Sequence, residues 1–235
     1  MNITPIHTRI FEEGENLPRF ITLHIKQVKE RTVLAVSSKV VALWKKCTVP
    51  YENLAQKEQL IKQESQRFLQ TKLAWITIKD GMIMTNGGVD ESNAKGKLIL
   101  LPQDCYACAE QLRNALKALW NVQNLGIIIT DSLILPLRAG VIGAAVGYSG
   151  FEGVKDLRGQ KDLFGKPLQT TLVNVADSLA TAATLTMGEA DEQQPLCLLE
   201  NVPVLFTDEN QKGKLKYPPQ DDLYAPLLKA VKLIQ

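Results

Sequence analysis

The order of strand-like and helix-like segments along this chain is irregular, and that order most constrains its fold. Apolar or alternating runs predict the strands, at 3–10, 32–37, 74–79, 82–85, 97–101, 125–130 and 170–176. Apolar residues at helical spacing predict the helices, at 17–29, 53–73, 107–120, 177–187 and 221–235. Because helices do not regularly separate the strands, the pattern predicts an α+β fold with mixed, mostly antiparallel sheets and flanking helices, rather than a doubly wound parallel sheet.

The composition is that of an ordinary globular domain. The chain has 235 residues, of which 45% are hydrophobic and 22% are charged. Its formal net charge of +2 is too small to predict nucleic-acid binding, which requires a strongly basic surface. We therefore treat residues 1–235 as a single domain and expect no nucleic acid among its partners.

The apolar runs and the N-terminus predict a cytoplasmic protein. The segment 1–7 lacks the basic region and apolar core of a secretory signal. No apolar run approaches the roughly 20 residues that a membrane-spanning helix needs. We therefore expect no membrane contact, and we expect the four cysteines to be reduced.

Cys105 and Cys108 have the spacing of a redox or metal-binding pair, but the sequence favours a structural role. The other cysteines, Cys47 and Cys197, are isolated, so a second pair is missing. Asp104 comes directly before the pair and suits the N-cap of the following helix. We expect both thiols to lie in the first turn of that helix.

The loop at 85–94 is the first of three segments where chemistry is expected. Its glycines let the backbone approach a ligand closely, Asp90 offers a carboxylate and Asn93 offers an amide. An Asn-Gly turn with a side-chain cap would explain the same residues, and this segment taken alone favours that explanation.

Asp131 and Ser132 directly follow the apolar run 125–130, an arrangement typical of a magnesium or manganese site. Such ions take carboxylate and hydroxyl oxygens together with phosphate oxygens. A carboxylate beside a buried strand is costly unless it is paired or coordinating, so a metal role is favoured over a simple strand-end cap. Arg138 follows closely and suits bidentate contact with a carboxylate or phosphate.

The helix predicted at 177–187 ends in an acidic run that includes Glu189. Acids at this end oppose the helix dipole, which a nearby cation would offset, and a solvated acidic loop is the alternative. Ser37, Ser38 and Lys39, at the end of the strand 32–37 and directly after it, suit phosphate contacts, although the chain has no P-loop motif. The charged stretch 155–165 is either an anion cradle or a solvated turn region, and the sequence leaves both open.

Taken in order, these segments resemble the coenzyme F420-0:γ-glutamyl ligase family. The motifs are TNGGVDESNA (85–94), IIITDS (127–132), PLRAG (136–140), AAVGYSG (144–150), KDLRGQKDLFG (155–165) and VADSLATAATLTMGEADE (175–192). The opening PIHTRIFEEGENL and the VSSK segment also fit. Each motif alone is weak, but the ordered set is specific and covers nearly the whole chain apart from its tail.

The resemblance implies a ligase that uses GTP or ATP and two Mn²⁺ or Mg²⁺ ions to add a γ-linked L-glutamate to F420-0 through an acyl phosphate. It implies an α+β fold, with two intertwined subdomains as a further option, in a homodimer. The residues implied as metal ligands are Asp90, Asp131, Ser132 and Glu189. Those implied for the nucleotide are Ser37, Ser38, Asn93, Met187 and Gly188. We assign catalysis to Asp131 and Arg138, and anchoring of anionic substrate groups to Arg138, Lys155, Arg158 and Lys161.

Two departures from the family pattern leave the acceptor and the nucleotide open. Ala42 stands where the family usually has a second lysine, and Lys45-Lys46 stands where it has Gly-Arg. The segment 7–10 reads HTRI where the family often has LPxI. A folate-type (pterin) γ-glutamyl ligase, or a non-catalytic nucleotide- or cofactor-binding relative, therefore remains an alternative. GTP against ATP and the number of glutamates added are also open.

Overall fold

The structure, a computed structural model, describes residues 1–233. Its strands are β1 (Asn2–Ile6), β2 (Thr32–Ser37), β3 (Thr48–Pro50), β4 (Arg67–Gln70), β5 (Trp75–Lys79), β6 (Met82–Thr85), β7 (Lys97–Ile99), β8 (Leu125–Ile134), β9 (Val141–Ser149), β10 (Val154–Asp156), β11 (Leu172–Asn174) and β12 (Leu196–Glu200). Its α-helices are α1 (Leu17–His24), α2 (Ser38–Trp44), α3 (Leu54–Gln63), α4 (Cys105–Trp120), α5 (Val175–Met187) and α6 (Ala225–Ala230). Within these described residues, no helix has both the length and the apolarity to cross a membrane.

A five-stranded sheet forms the centre of the fold, in the order β1-β12-β2-β8-β9. β2 and β8 run parallel, and the other three neighbouring pairs run antiparallel. The smaller sheets, β3-β7, β4-β5-β6 and β10-β11, are also antiparallel. The predicted α+β class with mixed, mostly antiparallel sheets is therefore confirmed.

Both faces of the central sheet are covered, which explains the continuous apolar runs in β2 and β8. Successive side chains of a strand point to opposite faces. Leu34 and Val36 of β2 accordingly pack in the cluster that contains α1 and α4. Val33 and Ala35 pack in the cluster that contains α5. The sheet is the middle layer of three, and its strands are held rigidly from both sides.

The connection from β2 to β8 carries an inserted unit between α2 and α4. This unit contains α3, β3 to β7 and a short 3₁₀ turn at Asn86–Gly88. The Asp80-Gly81 pair, a hairpin signal between the strands predicted at 74–79 and 82–85, joins β5 to β6, and both residues have the positive φ that a tight hairpin turn requires. Ile61, Val89 and Leu98 give the unit a small core of its own. The question of two intertwined subdomains stays a prediction.

Three predicted helices are shorter in the structure. The helix expected at 17–29 ends at His24, and the one expected at 53–73 ends at Gln63. Residues after Gln63 form β4 because Phe68 packs edge-on against Trp75 across the β4–β5 pair, with ring centroids 5.7 Å apart. Such cross-strand packing outweighs a local helical pattern. The helix expected at 221–235 is confined to α6, and residues 234–235 lie outside the described part of the chain.

β9 is a strand that the sequence did not predict, and two of its glycines allow helices to pack closely against it. A methyl group at Gly143 would meet the Thr184 Oγ1 atom at 2.1 Å, and one at Gly147 would meet the Cys105 carbonyl carbon at 2.5 Å. Glycine therefore lets α5 and α4 pack directly on the backbone of this strand.

The structural interpretation of the cysteine pair is confirmed by its placement. The Asp104 carboxylate caps α4 by accepting a hydrogen bond from the Ala107 N–H at 2.9 Å. Cys105 and Cys108 are free thiols buried in the core beneath α4. Burial raises the pKa of both thiols above the usual value, so they are protonated at neutral pH.

We predict that Gly147→Ala lowers the free energy of unfolding by about 1–3 kcal/mol, because the new methyl group pushes against the backbone at Cys105. Chemical denaturation would measure the change. The matched control is Ser149→Ala in the same strand, which we expect to change stability by less than about 0.5 kcal/mol. Equal stabilities for the two variants would contradict the proposed close packing.

Candidate functional site

A cleft of about 770 Å³ lies where the carboxyl ends of β2 and β8 meet the loop at 85–95 and the end of α5. Nine of the ten predicted site residues line it: Ser37, Ser38, Asp90, Asn93, Asp131, Ser132, Met187, Gly188 and Glu189. They come from four segments that are far apart in sequence. The fold therefore brings together, in one cleft, candidate residues that lie in separate segments of the sequence.

The parallel pairing of β2 with β8 positions two of these segments. Ser37 is paired with Thr130, so the two strands reach the cleft side by side. A β-bulge between Ile129 and Thr130 interrupts the pairing of β8 with β9 at this point. Before the bulge β8 is fully buried, and after it partly buried and exposed residues alternate. The extra residue at this irregularity lies on β9, and Asp131 and Ser132, near the end of β8, line the cleft.

Asp131 is held at the bottom of the cleft by the first residue of α2. The Ser38 hydroxyl donates a hydrogen bond of 3.0 Å to the Asp131 Oδ1 atom. Burial raises the pKa of Asp131 to about 6, and the negative charge of Asp90 adds to the rise. The hydrogen bond from Ser38 and the positive charge of Lys39 oppose it. Asp131 is therefore a carboxylate that lacks a full counter-charge.

Asp90 is paired with Lys39. The Lys39 Nζ atom lies 2.8 Å from the Asp90 Oδ2 atom and donates a hydrogen bond of 2.5 Å to the Ser92 hydroxyl. The Ser92 N–H and hydroxyl both donate to the Asp90 carboxylate, at 2.8 and 3.0 Å. Burial alone would raise the pKa of Asp90, but the hydrogen bonds from Lys39 and Ser92 hold it below its usual value.

The loop after α5 closes another side of the cleft. Gly188 ends the helix with a positive φ of 84°, which brings Glu189 over the end of β8. The Ser132 hydroxyl contacts both oxygens of Glu189, at 2.9 and 2.8 Å. The Asn93 side-chain amide donates to the Ala190 carbonyl at 3.0 Å. Two predicted metal residues and one predicted nucleotide residue therefore join the loop to its neighbours.

The chemistry of these donors fits a hard divalent cation. Burial is the main reason that the pKa of Asp131 is raised, and the negative charge of Asp90 adds to the rise. Within residues 1–233, three or more acidic, histidine or cysteine side chains nowhere form one preassembled cluster. Magnesium, however, is usually bound by one or two carboxylates together with substrate phosphates, so paired acids suffice. The carboxylates of the cleft are of the type that such an ion takes, and their role as metal ligands stays a prediction.

The structure places the remaining basic candidates away from the cleft wall. Arg138 lies in the exposed turn between β8 and β9, and its catalytic role stays a prediction. Lys155, Arg158 and Lys161 lie on the segment that includes β10 and the following loop, and Arg158 is paired with Asp156 at 2.6 Å. They do not line the cleft as the structure describes it.

Two cleft residues were missed from the sequence. Ser92 supports both Asp90 and Lys39, and the Asp-x-Ser spacing was a signal for the local turn that it makes. Thr184 lines the cleft, and its buried hydroxyl has no hydrogen-bond partner among the described residues. Nothing in the small-residue pattern of α5 distinguished this threonine from its neighbours.

Comparison with known proteins gives a consistent result. The family described as F420-0:Gamma-glutamyl ligase matches residues 5–201. The chain is similar to proteins named Coenzyme F420:L-glutamate ligase. It is 39% identical to that of Methanococcus maripaludis strain C7 over 143 residues, which are 61% of this chain and 57% of the relative. It is 40% identical to the protein of Methanocaldococcus jannaschii over 147 residues, which are 62% of this chain and 58% of the relative. It is 44% identical to the protein of Methanopyrus kandleri over 126 residues, which are 53% of this chain and 50% of the relative. The chain thus spans just over half the length of the curated relatives it matches.

We predict that Asp131→Asn stabilises the metal-free protein at pH 7.5. Because the folded pKa of Asp131 is raised from 3.8 to about 6, its contribution to stability is fully present below the unfolded value and is lost as the pH rises through about 6. The asparagine does not ionise, so the variant should be more stable by about 2 kcal/mol at pH 7.5 and should lose this advantage near pH 4. Urea denaturation in the presence of a chelator at both pH values would measure it.

Asp90→Asn is the matched control for this measurement. The Asp90 carboxylate is already stabilised by Lys39 and Ser92, so its removal should bring no gain at pH 7.5. If Asp131→Asn were no more stable than the parent at pH 7.5, the uncompensated charge at Asp131 would be refuted.

Proposed function

Because the chain belongs to the F420-0:Gamma-glutamyl ligase family, we propose that it is a nucleoside triphosphate- and divalent metal-dependent ligase. It joins the amine of L-glutamate to a carboxylate of coenzyme F420-0 by an amide bond. The observation that carries this proposal is the single cleft in which nine predicted site residues from four separate segments meet. The proposal assigns to this chain the activity for which its relatives are named, although the chain covers just over half of their length. We place the enzyme in the cytoplasm.

The proposed reaction has two group-transfer steps. An oxygen of the acceptor carboxylate attacks the γ-phosphorus, the bond from this phosphorus to the bridging oxygen breaks, and the nucleoside diphosphate leaves. The neutral amine of L-glutamate then attacks the acyl carbon, inorganic phosphate leaves, and the nitrogen loses a proton. Such transfers depend mainly on positioning and electrostatic stabilisation rather than on covalent chemistry by the protein.

The residues of the cleft divide between the two tasks. Asp90 and Asp131 on one side, and Ser132 with Glu189 on the other, would hold two Mg²⁺ or Mn²⁺ ions. These ions would neutralise charge on the phosphates and on the acyl oxygen. The residues that would contact the nucleotide are Ser37, Ser38, Asn93, Met187 and Gly188. Arg138 would need to reach the cleft from the exposed turn that carries it.

The departures from the family pattern lie on the cleft wall or next to it. Ala42 is buried and lines the cleft, where the family's lysine would add a positive charge. Lys45 does not replace it, because its ammonium group lies over the Trp44 ring, 3.9 Å from the centroid, and bonds to Gln111. The nucleotide and acceptor therefore need a direct comparison, in which a folate-type acceptor is the alternative substrate.

The test is phosphate release by the purified protein with Mn²⁺ or Mg²⁺ and L-glutamate. GTP and ATP are compared, each with F420-0 and, separately, with dihydropteroate or a folate as acceptor. We expect release only when glutamate and F420-0 are both present, with a product heavier by one glutamate residue. Release only with the pterin acceptor would establish the folate-type alternative. No release from folded protein with any combination, together with metal-dependent nucleotide binding, would indicate a non-catalytic relative.

We predict that Asp131→Asn lowers kcat by at least about 100-fold, because stabilisation of the transferring phosphoryl group by a metal is worth several kcal/mol. The control is Asp221→Asn, which removes an exposed carboxylate outside the cleft and should leave kcat within about twofold. Steady-state phosphate release at saturating substrates would measure both. An Asp131→Asn enzyme with near-parent kcat would remove Asp131 from the site.

We further propose that the enzyme is a homodimer, as the family resemblance implies. The ribbon formed by the end of β8 and the start of β9 exposes Ile134, Leu137 and Val141, and the Leu137 side chain is fully exposed. Ile134 and Val141 also line the cleft. A second copy covering this ribbon would bury apolar surface that a monomer would expose to water, and would narrow the cleft.

We predict that Leu137→Asp shifts a dimeric parent to a monomer at micromolar concentration, since the carboxylate would be buried without a partner. Light scattering after size exclusion would measure the mass, and Leu137→Met is the conservative control that should keep the dimer. A parent that is itself monomeric under these conditions would contradict the proposal.

A further inference from the structure

Lys39 occupies the position in the cleft where positive charge is needed most. Its ammonium nitrogen is 2.8 Å from the Asp90 Oδ2 atom, and the same ammonium group bonds to the Ser92 hydroxyl. Its positive charge also opposes the rise in the pKa of Asp131. Ser38, the residue before it, bonds to Asp131. Two adjacent residues at the start of α2 therefore supply the counter-charge and the hydrogen bond that the two carboxylates require.

A divalent cation at Asp90 and the Lys39 ammonium cannot share this place. Lys39 and the Ser92 hydroxyl already contact the Oδ2 atom of Asp90, and the Ser92 N–H contacts its Oδ1 atom. Two positive charges a few ångströms apart would also repel strongly in a partly buried site. Lysine carries its charge on a flexible four-carbon stem, so the ammonium can leave while the backbone stays in place. Lys39 lines the same cleft as Ser37 and Ser38, where a phosphate is the nearest new partner to be expected.

We propose that Lys39 is an exchangeable counter-cation: it holds Asp90 in the metal-free site, is displaced by the incoming divalent ion, and then pairs with a phosphate of the nucleotide. This inference rests on the proposed function, because it takes Asp90 as a metal ligand. It makes Lys39 a positioning residue that links two ligands. Metal binding alone breaks an ion pair without replacing it, whereas metal binding with a nucleotide replaces it.

The exchange has a thermodynamic consequence. If the nucleotide offers Lys39 a new partner, the nucleotide strengthens metal binding, and by linkage the metal strengthens nucleotide binding by the same factor. Removal of the charge at position 39 should therefore act in opposite directions on the two ligands. The metal alone should bind more tightly, and the nucleotide should bind less tightly. A merely structural role for Lys39 would weaken both.

The first measurement is Mn²⁺ binding to the nucleotide-free protein, followed by the paramagnetic resonance of free Mn²⁺. Lys39→Met keeps the length of the side chain and removes its charge, and we expect about tenfold tighter Mn²⁺ binding than in the parent. Lys39→Arg keeps the charge and should bind Mn²⁺ within about threefold of the parent. In a second measurement at saturating Mn²⁺, Lys39→Met should bind a fluorescent GTP analogue about tenfold more weakly than the parent.

The outcomes separate this inference from the proposed function. Lys39→Met is compared with the parent, and Asp90→Asn is made in each of these two proteins. If Lys39→Met binds Mn²⁺ no more tightly than the parent, while Asp90→Asn weakens Mn²⁺ binding in both proteins, the metal role of Asp90 stands and the exchange of Lys39 is overturned. If Mn²⁺ binding does not respond to Asp90→Asn in either background, the metal role of Asp90 fails and the exchange fails with it. Tighter Mn²⁺ binding together with weaker nucleotide binding in Lys39→Met supports the exchange.

Discussion

The parallel pairing of β2 with β8 is the constraint on which the rest of the structure depends. It joins two strands that are about ninety residues apart in sequence and places their carboxyl ends side by side. Helices on both faces of the sheet hold the pair, so the polar residues that follow it are carried on a rigid base. Ser38 reaches Asp131, and Lys39 reaches Asp90, only because this pairing brings α2 to the end of β8.

The arrangement of charges in the cleft lowers the stability of the folded protein. Burial raises the pKa of Asp131, and the negative charge of Asp90 adds to the rise. A fold under selection for stability alone would not retain such an acid, which is why perturbed carboxylates are associated with functional sites. Lys39, Ser38 and Ser92 reduce the cost in the metal-free protein. The same contacts would have to rearrange when a divalent ion and a phosphate enter.

Several elements show where local pattern and tertiary packing disagree. The run 53–73 has helical spacing throughout, yet its second half is β4, because Phe68 finds Trp75 across a strand pair that the local pattern does not contain. No strand is predicted from the sequence between 130 and 170, yet Gly143 and Gly147 belong to β9 and let two helices pack against its backbone. Arg138 was grouped with Asp131 by proximity in sequence, but the ribbon between them carries it away from the cleft wall. Closeness in sequence does not determine the direction in which a two-stranded ribbon projects from the sheet.

The sequence by itself determined the class of the fold, the buried strands at 32–37 and 125–130, the hairpin at Asp80-Gly81 and the segments that carry polar site residues. These follow from periodicity, turn chemistry and ordered motifs, which are local properties of the chain. Only the tertiary structure decided that Asp90, Asp131 and Glu189 share one cleft, and that Lys39 is the partner of Asp90. Those are relations between segments separated by dozens of residues, and they exist only once strand pairing and helix packing have closed the chain on itself.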